Sequence, residues 1–250
     1  MDLELAGRVA IVGGASQGIG RATALTLAAE GCDVVMAARR EDVLREAAAE
    51  AEKTGAQVLA VPADLTNAQD AERLVAAAVE RFGRIDILVT SIHISPGGTE
   101  DADWQESFDV LFLPAARLTR LVTPHMASGG AIVHLSSIWG KESGGRPGYN
   151  AMKAALISHA KAMARELAGA GIRVNTVAPG SVSAPGGTWW KRQQEEPEAM
   201  ERFAAENIPL GRFGTAEEIA NVVAFLCSPK ASWVTGSTVV VDGGQSHANA

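Results

Sequence analysis

Cysteine is scarce in this chain. Cys32 and Cys227 are the two it has, they lie in strand- or helix-like patterns, and no C-x-x-C spacing joins them. That excludes a disulfide framework, and buried thiols in a reducing compartment are the expectation. Histidines at 93, 125, 134, 159 and 247 show no paired ligand spacing, so no metal site is expected. No apolar run approaches the roughly 20 residues that span a bilayer; the longest late one runs only from Ile219 to Cys227. The acidic start Met1-Asp2-Leu3-Glu4 lacks the basic region of a secretory signal, so a soluble, cytoplasmic protein is expected. Positive charge is also in deficit: 22 Lys and Arg against 29 Asp and Glu give a net charge of -7 and a pI near 5.3. This argues against nucleic acid or an anionic membrane as the main partner and leaves a small-molecule substrate.

What is present is an apolar-rich chain of ordinary domain size. With 47% hydrophobic residues over 250 positions, one domain spanning 1–250 with a large core is the expectation. Strand patterns are read at 9–12, 34–38, 58–62, 85–91, 131–136, 173–177 and 237–241, with helical periodicity between them, as at 43–53, 71–82 and 216–226. No linker or repeat interrupts them. This alternation predicts an α/β fold with a parallel sheet covered by helices on both faces. In such sheets ligands sit beyond the carboxyl ends of the strands, and Gly14, Arg39, Asp64, Ser91, Ser137 and Pro179 all fall at or just after strand ends.

After the first strand, Gly13-Gly14-Ala15-Ser16-Gln17-Gly18-Ile19-Gly20 runs straight into a helical pattern. Glycines let the backbone turn and approach a ligand, and a helix starting near Gly18 aims unpaired N–H groups and a positive dipole end at a pyrophosphate. The spacing is not G-x-G-x-x-G, and no Gly-Lys-Ser/Thr follows, which disfavours a nucleoside-triphosphate loop. The strand at 34–38 ends where a dinucleotide fold meets the adenosine ribose. An acid there would accept from the 2′-hydroxyl; Arg39 and Arg40 stand there instead and suit a 2′-phosphate, favouring NADP(H) over NAD(H). Farther along, Tyr149 and Lys153 lie four residues apart, so on a helix they share one face. A free phenol has a pKa of about 10, and a neighbouring cation stabilises its anion, so the pair suggests acid/base chemistry. Taken alone, such a pair also occurs on any amphipathic helix.

Together these features resemble the short-chain dehydrogenase/reductase family, in particular its 3-oxoacyl-carrier-protein-reductase-like members. The resemblance covers nearly the whole chain. It rests on Gly14-x-x-x-Gly18-x-Gly20, Asp64 in Ala63-Asp64-Leu65, Ser136-Ser137-Ile138-Trp139-Gly140, Tyr149-x-x-x-Lys153, Asn175 through Pro179-Gly180, and Val241-Asp242-Gly243-Gly244. It implies a single-domain Rossmann fold with a doubly wound, seven-stranded parallel sheet, and an oxidoreductase moving hydride between NADP(H) and a small or apolar carbonyl or alcohol. Tyr149 would be the general acid or base, Lys153 would hold the nicotinamide ribose and lower the Tyr149 pKa, and Ser137 would hydrogen-bond the reacting oxygen. The family's serine usually lies thirteen residues before the tyrosine, which leaves Ser136 as the other candidate. By the same resemblance the cofactor would meet Gly14, Ser16, Gln17, Gly18, Ile19, Gly20, Arg39, Arg40, Asp64, Leu65, Ser91, Tyr149, Lys153, Pro179, Gly180 and Val182. For Asp64 a helix N-cap is the other role. A homotetramer is implied as well.

The departures bear on mechanism. Where the family usually has Asn-Asn-Ala-Gly the chain has Thr90-Ser91-Ile92-His93, and Leu111 stands where many members carry an asparagine that holds a water near the lysine. Proton resupply through His93, titrating near neutrality, is one expectation; a packing or surface histidine is the other. Segment 181–209 is the family's substrate lid. It carries Trp189 and Trp190, which with Trp139 and His93 are the candidate substrate contacts, and a helical run near 195–202. Ala184 replaces a usual threonine, with Ser183 as a stand-in for its hydrogen bond. A dinucleotide-binding protein without hydride transfer, or a non-redox reaction on the same scaffold, are the alternatives.

Overall fold

The structure, a computed structural model, describes residues 2–93 and 99–248. Strands β1 (Val9–Gly13), β2 (Asp33–Ala38), β3 (Val58–Pro62), β4 (Ile85–Thr90), β5 (Met126–Leu135) and β6 (Arg173–Pro179) alternate with helices, as read from the sequence except that β5 begins five residues before the strand pattern at 131–136. Two short strands, β7 (Val182–Ser183) and β8 (Gly214–Thr215), pair only with each other, and β9 (Thr238–Val241) closes the main sheet. That sheet is parallel with order β3-β2-β1-β4-β5-β6-β9, the doubly wound Rossmann arrangement. The winding reverses between β1 and β4, which opens a crevice at their carboxyl ends.

Both faces are apolar because each strand alternates its side chains. Ala10, Val12, Val34, Met36 and Val133 face one way, against α1 (Gly18–Ala29), α2 (Glu41–Glu52) and a late helix at Ala216–Cys227. Ile11, Val35, Leu88, Ile132 and Val174 face the other, against α3 (Ala68–Phe82), a helix at Leu113–Val122 and a long helix at Pro147–Leu167. Fully burying a side chain of this size stabilises the fold by about 1.5–3 kcal/mol.

Register sets the geometry of the crevice. Gly13 pairs with Ala37 on one side and Thr90 on the other, and Thr90 pairs in turn with His134. Gly14, Ser91 and Ser136-Ser137 therefore leave the sheet along one edge. His134 is fully buried there: Thr90 Oγ1 lies 2.7 Å from its Nδ1 and Thr119 Oγ1 3.3 Å from its Nε2. Thr119 donates its one hydroxyl proton to Ala115 O, so it accepts from Nε2–H, and Nδ1 accepts from Thr90. Enclosure pushes this imidazole down to about 3, helped by His159 and Lys153; it is a neutral tie between strands and helix.

The sequence pattern after β4 hides an irregularity. Helix α4 (Asp101–Ser107) passes into a π-helical turn at Phe108–Phe112, where Leu113 N–H reaches back to Phe108 O, before α5 (Leu113–Val122) resumes. The long helix α6 (Pro147–Leu167) starts on a proline, which supplies a pre-set φ and lacks an N–H that would go unpaired. Beyond β7 the run read near 195–202 is two helices, α7 (Thr188–Glu195) and α8 (Pro197–Asn207), because Pro197 starts a new helix. The last helix is α9 (Ala216–Cys227), opened by a reciprocal Thr215–Glu218 capping box.

Candidate active site

The loop between β1 and α1 is held open by steric constraint. A Cβ on Gly14, where φ is +81°, would collide with Ser91 O, and one on Gly20 would collide with Gly14 O. A Cβ on Gly18 would meet no such neighbour within 4 Å, and Gly18 itself lines the cleft. Gln17 is the N-cap of α1 but its side chain caps nothing, leaving first-turn N–H groups aimed outward. The loop forms one end of a cleft of about 960 Å³ whose walls reach the carboxyl ends of β2, β4, β5 and β6. Arg39 and Arg40 are exposed on that wall and make no ion pair among the described residues. A cradle of backbone donors beside two unpaired guanidiniums fits a phosphorylated dinucleotide.

At the other end α6 lays Tyr149 and Lys153 along the cleft. Its buried stripe reads Lys153, Leu156, Ala160, Ala164 and Leu167, so a lysine occupies the first position of an apolar seam. Lys153 is 2% exposed, donates to Leu135 O at 2.8 Å, and holds its Nζ 5.6 Å from the centre of the Tyr149 ring. Burial pushes its ammonium down to about 8. Tyr149 moves the other way: desolvation raises its pKa, and the nearby Ser137 hydroxyl lowers it only in part. The expected depression by Lys153 is therefore not seen in the protein alone, where the ammonium turns to a carbonyl. Ser136 and Ser137 divide their work. Ser136 donates to Lys153 O at 2.8 Å and fastens α6 to β5, whereas Ser137 accepts from Trp139 N–H at 3.2 Å and keeps its hydroxyl beside Tyr149.

Nearly all sequence-derived site residues converge on this cleft. Ser16, Gln17, Gly18, Ile19, Asp64, Leu65, Ser91, Pro179, Gly180 and Val182 line it with Gly14, Arg39 and Arg40; Ser137, Tyr149, Lys153, His93, Trp139 and Trp189 line it too. Gly20 sits behind the loop, where only its lack of a side chain matters. Trp190 is 38% exposed and off the wall, because its helical neighbour Trp189 takes the inward place and stacks on Phe203 at 4.8 Å. Asp64 is not the α3 cap: Asn67 is, accepting from Gln69 N–H at 2.8 Å. Asp64 instead accepts from Thr66 N–H and Oγ1 at 3.0 and 2.8 Å, shaping the turn that follows β3 at the cleft wall. Ser183 turns to Gln193 of α7 and does not line the cleft. Leu111 is buried in the π turn; its neighbour Val110 faces the cleft.

His93 packs edge-on against Tyr149, with ring centres 5.6 Å apart. Crowding by the cleft walls, with Lys153 adding to it, pushes its imidazole down to about 4. The residue is exposed overall, so the fully enclosed His134 is the more firmly depressed of the two; in either case His93 is neutral at pH 7. Titration near neutrality, as expected from sequence, is not supported. Sequence reasoning missed Arg146, Val110 and Ser181 on the wall, and Gly186, which crosses over Gln17 with a φ of +78°. Arg146-Pro147 was legible as a helix start; the others carry no local signal.

A doubly wound sheet with a glycine cradle and a Ser, Tyr and Lys set at its carboxyl edge defines a dinucleotide-dependent oxidoreductase class. Residues 14–246 match the family described as enoyl-(acyl carrier protein) reductase. The chain is 35% identical to 3-oxoacyl-[acyl-carrier-protein] reductase FabG of Thermotoga maritima, over 97% of this chain and 99% of that one. It is 38% identical to human dehydrogenase/reductase SDR family member 4, over 96% and 88%. The solved structure of L-sorbose reductase from Gluconobacter frateurii, complexed with NADPH and L-sorbose, superposes with a TM-score of 0.94 at 35% identity, covering 99% of this chain and 100% of that one. The chain belongs to the short-chain dehydrogenase/reductase family, oxidoreductases that act on carbonyl and alcohol groups.

Proposed function

We propose that the chain is an NADP(H)-dependent enzyme that interconverts a small or apolar carbonyl and its alcohol, working as one catalytic domain in the cytoplasm. The single observation that carries this is the Ser137, Tyr149 and Lys153 set beside a phosphate cradle flanked by Arg39 and Arg40. The cradle N–H groups and these two arginines hold the pyrophosphate and 2′-phosphate, with Asp64, Leu65 and Ser91 toward the adenine end, and Pro179, Gly180 and Val182 toward the nicotinamide. When bound, NADPH supplies the hydride.

The protein supplies the proton and its control. A phenol with a raised pKa is protonated at neutral pH, so Tyr149 is ready to donate to a carbonyl oxygen as negative charge develops there. Ser137 donates a hydrogen bond to the same oxygen. Lys153, charged below about pH 8, stabilises the phenolate left behind. In oxidation the same groups run backwards, and a higher pH favours them until Lys153 itself loses its charge. His93, Trp139 and Trp189 wall the space next to Tyr149, and the first part of the lid segment, from Ser181 to Trp189, lines the cleft beside them. A homotetramer is part of this reading, supported by outward apolar side chains at Trp104, Phe108, Phe225 and Trp233, the last 98% exposed; light scattering on purified protein checks it.

The deciding experiment is a panel of ketones and aldehydes with NADPH, following loss of reduced-nicotinamide absorbance. Consumption that vanishes in Tyr149→Phe is the expected result. Tight NADPH binding with no turnover on any carbonyl would support a binding protein instead.

A further inference from the structure

The segment after β9 touches the cleft-lining loop that follows β6, the end of the lid segment and the turn after Ser137. Asp242 opens it by folding the chain back on itself: its carboxylate accepts from Gly244 N–H at 2.9 Å and Ser246 N–H at 2.7 Å. Partial burial raises the pKa of this carboxyl, but the ring of donors wins and holds it below the usual range. The turn delivers Gln245, 8% exposed, onto the loop that follows β6. There the Gln245 carbonyl accepts from Ser181 N–H at 2.7 Å and its amide donates to Ser181 Oγ at 3.0 Å. Gly180 packs against the same residues so closely that a Cβ on it would lie 2.6 Å from Asp242 Cβ and 2.7 Å from Gln245 Oε1. Gly243 O accepts from Leu210 N–H at 3.1 Å, at the end of the lid segment. Farther on, Glu142 Oε2 accepts from His247 and Ala248 N–H at 2.9 and 3.0 Å, and Glu142 follows the turn that bears Ser137 and Trp139.

Gln245 reaches no position where a substrate or cofactor atom would sit, yet the loop it fastens forms the cleft wall at Pro179, Gly180, Ser181 and Val182. Backbone bonds to Val241 O and from Gly214 N–H hold the loop on either side, but Ser181 N–H and its hydroxyl are buried, and leaving them unpaired costs more than a surface contact would. We propose that Gln245 is a positioning residue for the nicotinamide end of the cofactor site, and that the Asp242–Ala248 segment aligns this loop with the turn after Ser137. The inference rests on the NADP(H) reading above.

Its test separates the two ends of the cofactor. NADPH binding is read from the emission of its reduced nicotinamide, and 2′,5′-ADP, which has the adenosine end alone, is titrated calorimetrically. Gln245→Ala is expected to weaken NADPH about tenfold, the size of one or two modest hydrogen bonds, and to leave 2′,5′-ADP within about twofold. Ser181→Ala, which removes only the 3.0 Å bond, is expected to weaken NADPH about two- to threefold in the same pattern; it carries the test should Gln245→Ala fold poorly. Equal weakening of both ligands would show a general structural role and overturn the inference, as would no change in either. A wild type that binds neither ligand would overturn the cofactor reading itself.

Discussion

Lys153 holds an ammonium in a seam otherwise made of Leu156, Ala160, Ala164 and Leu167, with Leu135 O as its hydrogen-bond partner, and this has a cost that methionine would remove. Burial takes the group from 10.5 to about 8. At about 1.4 kcal/mol per pH unit, the gap corresponds to about 3 kcal/mol of destabilisation while the side chain is charged. Methionine has similar volume and no charge, and it forfeits one hydrogen bond worth about 1 kcal/mol. Lys153→Met should therefore stabilise the cofactor-free protein by about 2 kcal/mol at pH 7, raising Tm by about 4–8 °C for a chain of this size, while turnover is lost. The sign follows from proton counts: between about 8 and 10.5 the unfolded chain binds a proton that the folded chain has released, so wild-type stability rises with pH across that window. Methionine has no such dependence. The difference in Tm between variant and wild type should then shrink as pH goes from 7 to 10 and be gone near its upper end. The buried thiols Cys32 and Cys227, whose pKa values are raised by burial, pull stability down at high pH but do so equally in both proteins. A variant less stable than wild type at pH 7, or a difference that does not change with pH, would refute the reasoning that this lysine is held in place against its own solvation.

Tyr149→Phe keeps the ring that His93 packs against and removes the proton; kcat should fall by at least about a thousandfold, with NADPH affinity by fluorescence within about threefold of wild type. Replacing Arg39 and Arg40 together by alanine should raise KM for NADPH by about ten- to a hundredfold and leave KM for NADH little changed, because only the 2′-phosphate loses a charge-assisted partner; equal loss for both cofactors would move the 2′-phosphate site elsewhere. His93→Ala should lower kcat/KM for the substrate without altering its pH dependence between 6 and 8, since the imidazole is already neutral there. A pH profile that shifts in that variant would restore a relay role.

The elements of this fold were legible because each is local. Ile11 and its neighbours alternate between two helical layers, Pro147 starts a helix, and the glycine loop needs backbone that only glycine supplies. Tyr149 and Lys153 were legible only in company: their four-residue spacing fits any amphipathic helix, and the glycine loop, the strand-end pattern and Ser137 gave it meaning, whereas the burial of Lys153 shows only in the structure. What stayed hidden depends on contacts distant in sequence. Nothing near Arg173 says that its guanidinium is buried against Leu226 O and Ser228 O at the end of α9 and Val234 O beyond it. Nothing near Thr90 announces His134, and nothing near Phe108–Phe112 announces the π turn in which Leu111 is buried and Val110 lines the cleft. The same distinction bears on Tyr149, whose pKa is raised by burial among residues distant in sequence. Spacing puts a cation on its face of the helix, but whether that cation serves the phenol depends on where its N–H groups point, and here Leu135 O, eighteen residues earlier, takes one of them. A four-residue spacing can nominate a proton donor; the burial around it, set by residues distant in sequence, makes that donor less acidic before any ligand arrives.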